Sequence, residues 1–98
     1  MLDKDGYPTE RSLVFIAEYD CSNGIDNLMQ FVEDMWHFGD WGYSRKEDSW
    51  ELHTGGWSGN EDIIGALADN RVFWMLYWEQ SRRGGHYLFD LSRYKKGE

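Results

Sequence analysis

The sequence predicts an α+β domain: an antiparallel four-stranded sheet with helices packed on one face, in the order ααββαββ. Three patterns lead there. Apolar residues recur at helical spacing over 10–18, 25–36 and 58–68, and they alternate with polar residues over 41–54. A continuous apolar run, 72–78, is followed by a glycine-containing turn and a further strand pattern, 86–91. The 98 residues form a single domain, 1–98, since one core of that size leaves no room for a second.

Asp3-Lys4-Asp5-Gly6 has the look of a calcium loop. With Gly6 at the sixth loop position, however, Met1 and Ser12 take the first and twelfth, and neither is a carboxylate. Thr9, after Pro8, caps a first helix over Glu10 to Glu18 that turns Leu13, Ile16 and Ala17 to one side. Cys21-Ser22-Asn23-Gly24 breaks it, and Ser22 or Asn23 caps a second helix. There Ile25, Leu28, Met29, Val32, Met35 and Trp36 make the apolar stripe, and Asp26, Glu33 and Asp34 form a solvated face. Gly39 suits the left-handed residue after that helix.

Trp41, Tyr43 and Arg45, then Trp50, Leu52 and Thr54, alternate across a Lys46-Glu47-Asp48 tip, which predicts a hairpin with its aromatic face on the helices. Ser58-Gly59-Asn60-Glu61 has the form of a capping box, opening a helix to about Ala68 that buries Ile63, Ile64 and Leu67. Asp69-Asn70 stops it. Val72 to Trp78, apolar on both faces, predicts a central strand around which the others pair. Gln80 to Gly85 forms a turn, His86 to Leu91 returns as the fourth strand, and 92–98 is a frayed basic tail.

Six Trp, six Tyr and five Phe supply a core and more indole surface than a small domain hides, which leaves aromatic area for binding as well as for rim packing. The net charge of -8 is unevenly placed: nine acids face two bases before Trp41, whereas six bases face three acids after Asn70. That balance argues against duplex DNA as a ligand of this chain alone, while allowing a small anion on the C-terminal third and a basic partner for the acidic half. Acids that keep an aromatic-rich protein in solution explain the same excess. The longest apolar run, seven residues, falls short of the roughly 20 a membrane helix needs, so no membrane partner is expected. Cys21 has no cysteine partner within the chain and no charged and apolar leader opens it, so a cytoplasmic location is expected, that of the host cell if the protein is phage-encoded.

The stretch from His53 to Glu61 runs from a strand pattern into a helix start through three glycines, and a second glycine turn, Ser81 to His86, carries the only adjacent arginines. The two turns are expected to face each other. Glycines admit close backbone approach, helix starts offer unpaired amides, and arginine suits bidentate contact with phosphate or carboxylate. The expected ligand-binding set is therefore His53, Thr54, Gly55, Gly56, Trp57, Ser58 and Asn60 with Ser81, Arg82, Arg83 and His86. A tight strand-to-helix turn and a solvated tip explain much of the same pattern, and no lysine follows the glycines as a phosphate-binding loop of the Walker type requires. Trp57 is the favoured stacking partner for a base, ahead of Trp41, Tyr43 and Trp78. His37, His53, His86 and Asp40 match no metal spacing, so neither a metal nor a cofactor is expected. Ser58, Ser81 and Cys21 lack the frame of a nucleophile elbow or triad, so no catalytic residue is assigned and enzyme chemistry at His53 and His86 is the lesser reading.

The motifs HTGGWSGNE (53–61), Phe73-Trp74 and SRRGGHY (81–87), extended back through WHFGDWG (36–42), resemble those of a family of small bacterial and phage proteins over about half of the chain. The resemblance implies a bacterial or phage setting and brings no assigned activity. A phage setting implies in turn a role against host defence. The expected function is non-enzymatic binding of a small anionic ligand, a nucleotide or nucleotide signal held as by a sponge, by a protein that works as a homo-oligomer. The alternative is an acidic inhibitor or immunity-type protein that meets a basic protein partner through Asp26, Glu33 and Asp34.

Overall fold

Thr9 starts the first helix as its position requires. In the computed structural model, which describes residues 4, 6–36, 42–47 and 49–91, α1 spans Glu10–Ala17 and the Thr9 hydroxyl accepts from the Ser12 amide at 3.1 Å. Asp20 then caps a short 3-10 turn, Cys21–Asn23, accepting from the Ser22 amide at 2.9 Å and its hydroxyl at 2.7 Å. These two bonds hold the Asp20 carboxyl below its usual range. Neither Ser22 nor Asn23 caps the second helix: α2 (Ile25–Met35) begins at Gly24, whose φ of 96° turns the chain out of the 3-10 segment. Its stripe is as predicted, with Leu28, Met29, Val32 and Met35 buried.

Glu33 departs from the solvated face expected of it. Its side chain is only 8% exposed and joins α2 to the first hairpin, β1 (Tyr43–Arg45) and β2 (Ser49–His53). Arg45 donates to both of its oxygens, at 3.0 and 3.2 Å, and the Trp50 indole donates at 2.9 Å. A carboxylate with three donors is a stable thing to enclose. Trp50 and Leu52 of the same hairpin point into the core, and the Lys46 amide closes the tip on the Ser49 carbonyl.

The third helix, α3 (Ser58–Asp69), buries Ile63, Ile64, Ala66 and Leu67. The predicted capping box does not form: the helix starts one residue earlier than a Ser58 cap would give, with Trp57 in the cap position and no side-chain cap bond. Gly65, on the outer side of α3, is exposed, and a methyl group added there would meet nothing within 4 Å.

The apolar run is a helix, not the central strand. Arg71–Tyr77 forms α4, and only Trp78 belongs to the following strand, β3 (Trp78–Arg82). Asn70 decides this. Its side chain accepts from the Phe73 amide at 3.1 Å, its carbonyl accepts from Trp74 at 2.9 Å, and its amide nitrogen donates to the carbonyls of Ile16 and Tyr19 at 2.9 and 3.0 Å. The residue that ends α3 thereby starts α4 and binds both to the end of α1. Helical spacing turns Phe73 and Tyr77 inward and leaves Val72 and Met75 exposed, at 57% and 77%.

β4 (His86–Asp90) lies between β2 and β3, so the sheet order is β1-β2-β4-β3, every pair antiparallel. Phe89 of β4 joins Trp50, Leu52 and the helical side chains in one core, so the helices cover one face. The predicted α+β class holds, with an additional helix before the third strand. The centre of the sheet is taken by β2 and β4, and the third strand, β3, is an edge that takes in the first half of the turn expected over Gln80 to Gly85. Residues 92–98, assigned to a frayed tail, lie outside the described residues.

Asn70→Ala removes a helix cap and leaves the buried Ile16 carbonyl and the half-buried Tyr19 carbonyl without their donor, so urea unfolding should show a loss of about 2–4 kcal/mol. Gly65→Ala should raise stability by about 0.5–1 kcal/mol in the same assay, since the methyl group meets no neighbour and the unfolded chain loses freedom.

Candidate functional site

Thr54 brings the two glycine-rich turns together. Its amide donates to the Gly85 carbonyl at 2.9 Å, its carbonyl accepts from the Trp57 amide at 3.1 Å and from the Asn60 side chain at 3.2 Å, and its hydroxyl accepts from the Gly56 amide at 3.3 Å. Gly85 is required opposite it: φ is 80°, and any Cβ would collide with the Thr54 hydroxyl. Thr54 is 1% exposed and Asn60 is fully buried. Both therefore build the turn from inside, their polar atoms engaged within the fold.

The rest of the first turn divides by the same test. Gly55 and Gly56 take left-handed φ values of 63° and 77° and lie exposed at the bend. Trp57 folds back over the first turn of α3, where its ring occupies the space a Gly59 side chain would need, and it meets the Tyr7 ring at 4.9 Å. That packing engages the indole favoured for base stacking. Ser58 is exposed at the head of α3.

One residue outside each glycine turn, the strand register assembles a different group. His53 of β2 stands opposite His86 of β4, and His86 stands opposite Arg82 of β3, so three strands contribute one side-chain row. The imidazoles meet edge to face at 4.2 Å. Sheet alternation puts this row on the face away from Trp50, Leu52 and Phe89. Beside it run Glu51, Leu88 and Gln80 in the adjoining register, and the Gln80 side-chain Oε1 accepts from the Arg82 Nε at 3.0 Å, which orients the guanidinium along the strand. A depression of about 70 Å³ lies here, bordered by Glu51, Gln80, Arg82, His86, Tyr87 and Leu88. Glu51 and Gln80 were absent from the predicted set. Their signal was the strand period, since each lies two residues before a chosen residue, His53 or Arg82.

Ser81 falls on the opposite parity, where its hydroxyl accepts from the Trp78 indole at 2.9 Å. Arg83 is exposed in the turn, and among the described residues no hydrogen bond or ion pair holds it. Of the four residues that match no metal spacing, His53 and His86 come together, while His37 and Asp40 lie outside the described residues; no group of three ligating side chains occurs among those described. Burial, with Asp20 beside it, raises the Cys21 thiol above its usual range, which disfavours the thiolate a nucleophile needs.

Burial lowers the His53 imidazole below its usual range, helped by the adjacent His86 and opposed by the Glu51 carboxylate. His53 thus binds its proton less readily folded than unfolded. Its contribution to stability is complete above the unfolded value of about 6.5 and is lost as the pH falls from there through the lower folded value. In a buffer free of polyvalent anions, thermal unfolding followed from pH 7.5 to pH 5.5 (about one unit either side of that value) should show a decline that His53→Gln reduces.

No helix among the described residues is long and apolar enough to cross a membrane. No family model matches the chain, and neither a curated protein nor a solved structure does, so the geometry alone carries the functional reading.

Proposed function

We propose that this protein is a non-enzymatic binder of a small phosphate-bearing anion, of the nucleotide class, held on the open face of its sheet. The cross-strand row His53, His86 and Arg82 is the observation that supports it. Three strands hold the donors, so their spacing is set before any ligand arrives, and preorganised donors lose little entropy on binding. Arg82 supplies the fixed positive charge, with Gln80 steering its fork. His53 and His86 offer ring nitrogens from a second side, and Arg83 lies in the adjoining turn.

The size of the depression limits what is enclosed. About 70 Å³ suits one phosphate group, not a whole nucleotide, so the remainder of the ligand lies over the open sheet against Leu88. Glu51 adds selectivity there: its carboxylate repels a second phosphate and accepts from an amino or hydroxyl group. Sequestration of a nucleotide signal in the host cytoplasm, the phage counter-defence role, uses such a surface without any chemical step.

The test is isothermal titration with pyrophosphate and a panel of nucleoside mono- to triphosphates and cyclic dinucleotides. Wild-type protein should bind at least one of them. Arg82→Ala with His86→Ala should weaken that binding by about tenfold or more, because each charge-assisted hydrogen bond contributes about 1.5–3 kcal/mol. Affinity should rise as the pH falls below about 6.5, since His53 takes its proton below that value in the free protein and a bound anion favours the protonated form. Glu51→Gln should strengthen it. Absence of heat with every ligand, or an affinity indifferent to the double substitution, would refute the proposal.

A further inference from the structure

A second surface lies in the helical layer, on the far side of the sheet from the histidine row. Helices α1 and α3 leave between them an open groove of about 410 Å³ whose floor includes Val14, Gly65 and Ala66. Its rim carries four carboxylates, Glu10, Glu61, Asp62 and Asp69, all exposed, and among the described residues no basic side chain borders it. Among the described residues none of the four is hydrogen-bonded or ion-paired, so the rim keeps its negative field. Val14 is 46% exposed on the floor.

Gly65 is the second, separate observation. It stands in the middle of a twelve-residue helix, where glycine is a poor choice, and nothing within the fold requires it to be small. A glycine on a groove floor admits close approach of another backbone.

The geometry points to this groove as the docking site for a cationic amphipathic helix of a partner protein. Charge complementarity selects the sign: the rim repels nucleic acid and anionic lipid and attracts lysine and arginine. The occupant is a helix because helical walls offer no strand edge, so an extended peptide would leave its backbone groups unpaired, whereas a helix brings them satisfied. Two helices in contact form the groove that a third helix's ridge enters, and the partner's small and apolar residues meet Val14 and Gly65 while its basic residues reach the rim. This places the basic partner on α1 and α3, away from the α2 acids, of which Glu33 is already committed to Arg45 and Trp50. The site is independent of the anion site on the opposite face.

The experiment is fluorescence anisotropy with a labelled synthetic peptide of about 14 residues, four helical turns, with leucine and alanine on one face and lysine and arginine flanking it. The control peptide has the same composition scrambled to abolish the face. Wild-type protein should bind the amphipathic peptide at least about tenfold more tightly than the scrambled one, and added salt should weaken it. Gly65→Trp, which fills open space without touching the core, and Asp69→Lys, at a helix end where a cation is favourable, should each cost about tenfold; Asp26→Lys on α2 should not. Circular dichroism checks that each variant is folded. Failure of wild type to bind, equal binding of the scrambled peptide, or indifference to Gly65→Trp would overturn the inference. So would a wild-type dimer in sedimentation that Gly65→Trp converts to monomer, since the occupant would then be a second copy of this chain.

Discussion

The contact between Thr54 and Gly85 is the constraint on which the rest of the site depends. Four hydrogen bonds converge on one buried threonine, and the glycine opposite has no Cβ to obstruct them. From this point β2 leads to His53, β4 leads to His86, and the chain enters α3 in the other direction. The spacing of the imidazoles is therefore set by main-chain pairing and not by the imidazoles themselves. Trp36 adds to the arrangement, its indole donating to the His53 carbonyl at 3.1 Å.

Two other enclosed polar side chains do for the helices what Thr54 does for the turns. Asn70 unites the end of α1 with the junction of α3 and α4, and Glu33 unites α2 with the first hairpin. Apolar packing is tolerant of small displacements, whereas a hydrogen bond between layers is not. The core supplies the driving force, and these three residues select one arrangement of it.

The domain presents two surfaces of opposite character. The open face of the sheet gathers Arg82 with two histidines, and the groove between α1 and α3 gathers four acids over an apolar floor. The charge asymmetry along the chain becomes an asymmetry between layers, because α1 and α3 come from the acidic first seventy residues and β3 and β4 from the basic remainder. On the two proposals made above, separation by a packed core would let a phosphate-bearing ligand and a basic partner be held at once, with little mutual repulsion or competition.

Local pattern by itself determined the α+β class, the stripe of α2, the first hairpin, the body of α3 and the returning strand, because helical and strand periods survive in single stretches of side chains. That the two glycine turns face each other was an expectation of the sequence, and only the Thr54–Gly85 hydrogen bond established their contact. Tertiary structure decided the rest. Arg71–Tyr77 carries no period that separates a buried strand from a helix, and Asn70 settled it through carbonyls some fifty residues away, at Ile16 and Tyr19. Glu33 is polar on a helix exterior until the hairpin arrives to enclose it. Thr54 and Asn60 are polar residues in a glycine-rich stretch, and nothing local distinguishes a ligand donor from a buried tie. The row of His53, His86 and Arg82 required the register of three strands, which is a property of their pairing and of no one segment.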